Sequence, residues 1–284
     1  MQSRRQLFVT FGVFLLVVCS VCANTPANGA SNSVEIASPD GKNQIALKVA
    51  EGGGQLLYSI VRAGKPIIDW SPIDVRLANR GSLSDGLSIE HIDERSIDET
   101  SELPWGKSRT IRDHCREANV RLKSRNGFEW RLALRAYDNG VAFRYGFTDE
   151  PRELLIEGEN TEFRLAGDPT VFYMTVDQFH NSHEALYERK PLSSVPVGKL
   201  IDKPLLAIWP NGTAAAISEA RLRDFAGMYL ERQKGAANVL QTRLSPLLDQ
   251  PKAVARVTNS RWSPWRVVLL ADQAGKLIES NLLL

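Results

Sequence analysis

Residues 119–147, NVRLKSRNGFEWRLALRAYDNGVAFRYGF, decide the fold. Val120 and Leu122 alternate with polar neighbours, then Phe128, Trp130, Leu132 and Leu134 share one face opposite Glu129, Arg131 and Arg135, and Val141, Phe143, Tyr145 and Phe147 repeat the pattern. A period of two is that of a pleated strand with one buried face. Asn126-Gly127 and Asn139-Gly140 separate the three runs. Asn and Gly tolerate the positive φ of tight hairpins, so the stretch specifies an antiparallel meander.

The same signal extends outward. Ile45, Leu47 and Val49 alternate, short apolar runs occupy residues 56–61 and 205–209, and Asp40-Gly41, Gly52-Gly53-Gly54, Gly64-Lys65-Pro66 and Asn211-Gly212 mark turns. Residues 182–189 and 221–230 could form short helical pieces, but no long amphipathic stretch is present. At typical strand lengths this predicts an all-β domain over residues 34–284, a large antiparallel β-sandwich of roughly 15 to 20 strands.

With 43% hydrophobic and 24% charged residues among 284, the chain reads as globular. Arg4 and Arg5 account for the formal charge of +2, and the rest of the sequence balances acids against bases. Such a chain has no long-range positive field, so nucleic acid is not expected as a partner. Residues 1–23 combine a basic start, an apolar run and a small-residue cleavage site after Ala23, the anatomy of a signal peptide. The expectation is export to the periplasm or outside the cell, with no membrane association after cleavage. Residues 24–33 are small and polar, a disordered leader. Cleavage leaves Cys115 alone, without a disulfide partner, and its surroundings suit a structural thiol better than a nucleophile.

The densest polar cluster runs from Asp177 to Glu184. His180, His183 and Glu184 do not match the spacing of a catalytic zinc motif. Glu184, with Tyr187 close by, suits a hard oxygen-seeking cation, although six to eight oxygens are usual and the others must come from elsewhere. Glu219 follows an apolar strand and is expected to be solvated or structurally hydrogen-bonded. No nucleophile elbow, phosphate loop or dinucleotide fingerprint is present. Trp130 belongs to the core by alternation, while Trp105, Trp262 and Trp265, beside Pro and Gly, are the candidates for exposed sugar-stacking shelves.

Several segments together resemble the N-terminal domain of glycoside hydrolase family 97, bacterial α-glucosidases and α-galactosidases. They are SPDGK at residues 38–42, Pro104-Trp105-Gly106, RAYDNGVAFRY at 135–145, residues 159–163, HEALY at 183–187, ISEA at 217–220 and PWRV at 264–267. The resemblance implies a mutarotase-like β-supersandwich packed on a catalytic (β/α)8 barrel. It also implies that Glu184 joins barrel carboxylates around a calcium ion, with His183 standing where the family commonly has an aromatic residue. The barrel of the family needs roughly 200 to 250 residues, for which the sequence up to Leu284 leaves no room beside the β domain. The expectation is therefore a carbohydrate-associated domain with no catalytic residue of its own, acting on α-linked oligosaccharides with a barrel in cis or in trans. The alternatives are a stand-alone carbohydrate-binding module or a docking subunit.

Overall fold

The computed structural model describes residues 32–52, 54–147, 153–258 and 261–284. The predicted signal peptide and residues 24–31 of the leader lie outside the described residues, and Ser33 already opens the first strand.

Alternation is converted into strands throughout. β1 (Ser33–Ala37), β2 (Asn43–Val49), β3 (Leu56–Arg62) and β4 (Lys65–Ile73) form one meander. Short β5 (Val75–Leu77) and β6 (Gly81–Ser82) precede a long hairpin, β7 (Ser88–Glu102) and β8 (Thr110–Lys123). β9 (Glu129–Tyr137) and β10 (Gly140–Phe147) complete the meander read from residues 119–147. β11 (Leu154–Glu159), β12 (Glu162–Leu165), β13 (Thr170–Val176) and β14 (Glu188–Pro191) follow. The chain continues through β15 (Leu200–Ile208), β16 (Ala214–Ala220) and β17 (Met228–Arg232). β18 (Val239–Leu244), β19 (Ala255–Val257) and β20 (Trp265–Ala271) end the series.

Sixteen strands make one antiparallel sheet, whose main path is β1-β2-β3-β4-β12-β18-β17-β15-β16-β20-β10-β9-β8-β7, with β13 and β14 branching from β15. A small sheet, β19-β11-β5-β6, packs with it. Strand twist accumulates across so many neighbours, and an apolar face that long can be buried only by curling the sheet over itself. Accordingly β1 and β2 lie against β8 and β9, and the Asn43 side-chain amide donates to the Tyr137 carbonyl at 2.8 Å. The fold is the expected all-β supersandwich. Trp130, Tyr58, Phe143 and Phe163 are fully buried inside it, with the Tyr58 and Phe143 rings 4.8 Å apart.

Three local expectations change. Residues 182–189 and 221–230 contain no helix: each is a loop that runs into a strand, β14 and β17, because pairing with β13 and with β15 and β18 satisfies their backbone. Helical turns occur instead at Leu192–Ser194 and at α1 (Ala274–Leu277). Gly127 has the positive φ of a turn residue (81°), but Gly140 does not. A Cβ at Gly140 would stand 2.6 Å from the Val268 carbonyl oxygen, so that glycine serves close approach of β20 rather than turn geometry.

After α1 the chain crosses the outer face of β16, β20, β10 and β9. Leu277 and Leu282 pack on Ala133, Ala142, Trp265 and Val267. Lys107, from the tip of the β7–β8 hairpin, donates to the carbonyls of Ile278 and Ser280. No helix among the described residues is long and apolar enough to cross a membrane.

Candidate functional site

Glu184 sits on the loop between β13 and β14, exposed, and makes no hydrogen bond or ion pair with any described residue. Its neighbours are held. His183 adopts a left-handed backbone conformation (φ 58°), which is uncommon outside glycine and needs contacts to sustain it. Its Nδ1 lies 2.5 Å from Asp202 Oδ2, its ring stacks on Tyr229 at 6.2 Å, and its backbone N–H donates to Asn181 Oδ1 at 2.8 Å. Asn181 in turn donates to the Tyr229 hydroxyl, and the Ala185 N–H points at Met174 Sδ. The loop is thus pinned on both sides of a free carboxylate. Leu186 and Tyr187 beside it are exposed, Leu186 to 90%.

Behind His183 a series of charges runs into the core. Asp202 is nearly buried, with Lys203 Nζ 4.0 Å away. Lys203 reaches Glu219 at 3.0 Å, and Glu219 also accepts from Arg266 Nη1 at 3.1 Å and from the Met228 N–H. Arg266, with no exposure, grips both oxygens of Glu159 at 3.0 and 2.6 Å, and the Tyr145 hydroxyl donates to Glu159 at 3.0 Å. Burial acts to lower the Arg266 pKa, but the charge and hydrogen bonds of Glu159 outweigh it and the net shift is upward. Burial and the Glu159 charge push the Tyr145 phenol well up, so it remains a donor. Each buried charge therefore has an opposite neighbour, which is what makes burial tolerable. Glu219 is the structural, hydrogen-bonded carboxylate expected from its place after a strand.

Calcium takes six to eight oxygens, and the described residues contain no group of three or more His, Cys, Asp or Glu side chains able to hold a metal. Glu184 offers a single exposed carboxylate without a described partner. Asp202, Lys203, Glu159 and Arg266, which support its loop, were not singled out from sequence as a set. Glu159 and Arg266 are 107 residues apart, and they meet only because the small sheet carrying β11 packs on the large sheet carrying β20. RAYDNGVAFRY, residues 159–163, ISEA and PWRV did carry four of the members, Tyr145, Glu159, Glu219 and Arg266, as fragments of the resemblance.

The tryptophan expectations divide. Trp130 is core and Trp105 is 82% exposed at the β7–β8 tip. Trp262 is half-buried, and Trp265, only 8% exposed, is not a shelf: it lies beneath Leu282 with guanidinium groups against its ring. Cys115 is buried, and that burial pushes its thiol up to about 12, which suits a structural role. A cleft of about 500 Å³ beside residues 281–284, lined in part by Arg135, Tyr137 and Arg221, takes no residue from the Glu184 loop.

Comparison with known proteins agrees with this architecture. The chain is 25% identical over 94% of its length to a retaining α-galactosidase of Bacteroides thetaiotaomicron. It is 25% identical over 96% of its length to a probable retaining α-galactosidase of Streptomyces bingchenggensis. It spans only 42% and 41% of those relatives. Among solved structures, a glycoside hydrolase family 97 enzyme from Pseudoalteromonas sp. strain K8 superposes with a TM-score of 0.79 at 24% identity, over 87% of this chain and 37% of that one. The same enzyme has been solved with panose and with acarbose. A β-arabinopyranosidase superposes with a TM-score of 0.75 at 21% identity, over 84% of this chain and 40% of that one. The model for glycosyl-hydrolase 97 N-terminal domains matches residues 36–284, and the chain belongs to that family.

Proposed function

We propose that this domain serves hydrolysis of α-linked oligosaccharides by presenting Glu184 to a calcium ion shared with the carboxylates of a (β/α)8 barrel, joined to it in cis or in trans. The observation that carries the reading is an exposed, unpaired carboxylate on a loop pinned by His183 and Asp202. Bound calcium would polarise a sugar oxygen or a water. The chain's own part is to hold Glu184 in place through the charge series that ends on Arg266. The α-galactosidase relatives and the panose and acarbose complexes support an α-linked substrate class. The signal-like residues 1–23 support export to the periplasm or beyond, and mass spectrometry of the mature protein should find Asn24 first.

The test joins this chain to the barrel of the Bacteroides relative in place of that enzyme's own N-terminal domain. Calcium-dependent turnover of nitrophenyl α-galactoside is expected, with no turnover by the chain alone. Turnover by the chain alone that a carboxylate substitution abolishes would overturn the reading. Trp105 favours a second reading, sugar binding by the isolated domain. Saturable heats with maltooligosaccharides, lost in Trp105→Ala, would establish it.

A further inference from the structure

Outside the Glu184 loop, the outer face of the sheet carries a connected row of guanidinium groups and indole rings. Arg131 lies 4.7 Å from the Trp262 ring, Arg144 lies 4.6 Å from Trp262 and 4.2 Å from Trp265, and Arg135 lies 4.9 Å from Trp265. Strand register builds the row. Phe143 pairs with Arg266, so Arg144 stands beside Trp265, and Gly146 bridges to Trp262. A Cβ at Gly146 would come within 2.7 Å of the Trp262 ring, so only glycine lets that indole lie against the strand.

The charges along the row are unequally matched. Arg135 is neutralised by Glu117 at 2.6 Å and Asp113 at 3.1 Å. The Arg144 side chain makes no hydrogen bond or ion pair with any described residue, and its Nε is buried. Arg131 likewise has a buried, unpartnered Nε and reaches only the Phe147 carbonyl, at 3.5 Å. Burial, together with Arg135, Arg221 and Arg131 nearby, pushes the Arg144 guanidinium down to about 10, against a weaker upward pull from Glu117. Ring contacts offset part of the cost of such a cation, but they leave its N–H donors unused.

We infer that this row is a docking surface for a carboxylate-bearing polypeptide segment, one of whose acidic side chains pairs with Arg144. A guanidinium with free N–H groups is shaped for a bidentate carboxylate. Because each ring already carries two guanidinium groups, the face offers positive charge and donors rather than a bare shelf for a sugar. Arg131 and Arg144 stand on neighbouring strands, so an extended acidic segment meets both where a single small anion meets one. This inference is independent of the role of Glu184.

The test titrates the chain with hexaglutamate, and with hexalysine as control, following tryptophan fluorescence at low and at physiological salt. Saturable hexaglutamate binding is expected, weakened at least tenfold in Arg144→Gln or Arg131→Gln and unchanged in Lys234→Gln. If Arg144→Gln does not fold, Arg144→Lys, which keeps the charge but removes the fork, should still weaken binding severalfold. Absence of saturable binding, or equal binding by the Arg144 variants, would overturn the inference. So would competition by glucuronate or inorganic phosphate at the concentration of the peptide, which would mark a small-anion site.

Discussion

Arg266 and Glu159 meet as a bidentate pair at 3.0 and 2.6 Å with neither side chain exposed to solvent. Removing one partner leaves a buried charge uncompensated, a loss of about 3–5 kcal/mol. Arg266→Met should cost that much in urea denaturation. Replacing Glu159 by Leu as well should recover most of the loss, because the orphaned carboxylate is gone. A single substitution costing under about 1 kcal/mol would show that the pair does not anchor the series.

At the outer end of the same series, His183 holds the Glu184 loop through Asp202 and Tyr229. His183→Ala keeps the left-handed backbone, which disfavours a Cβ by about 1–2 kcal/mol, and loses both contacts. Hydrogen exchange should quicken across residues 178–187 while β9 and β10 stay protected. Unchanged exchange in the loop would contradict the positioning role.

The two Asn-Gly pairs of the central meander should respond differently to alanine. Gly127→Ala strains a positive φ at an open turn, an effect of about 1 kcal/mol. Gly140→Ala drives a methyl into the Val268 carbonyl and Leu282, and overpacking of that kind costs about 1–3 kcal/mol. Denaturation midpoints should therefore fall further for Gly140→Ala.

Burial raises the Cys115 thiol from 9.0 to about 12. The folded state then holds a proton that the unfolded state releases, so this contribution is complete below pH 9 and is lost as pH rises toward 12. One such proton is worth about 1.4 kcal/mol per pH unit in that window. Cys115→Ala should flatten the alkaline fall in stability by that slope, with buried Tyr58 and Tyr145 sustaining the remainder.

Residues 119–147 expose the fold because period-two alternation records which face of each strand is buried, and that survives without knowledge of the partners. Glu184 and Tyr187 were readable as a carboxylate beside an aromatic ring for the same local reason. The support for Glu184 was not, since Asp202, Lys203, Glu219 and Arg266 come from three strands adjacent only through the sheet order, and Glu159 comes from a second sheet packed against them. Trp265 misled because a flanking proline suggests a surface, whereas residues 277–282 fold back over it. Gly140 misled because a glycine after Asn reads as a turn whether it serves φ or close approach.

The central claim, that Glu184 is a calcium donor in a site completed by a barrel, is tested most directly by the calcium concentration giving half-maximal turnover when this domain is joined to the Bacteroides barrel. Glu184→Gln should raise that concentration at least tenfold, while the domain alone binds no calcium tightly with either residue. An unchanged calcium requirement in Glu184→Gln, in a fusion that remains active, would contradict the account.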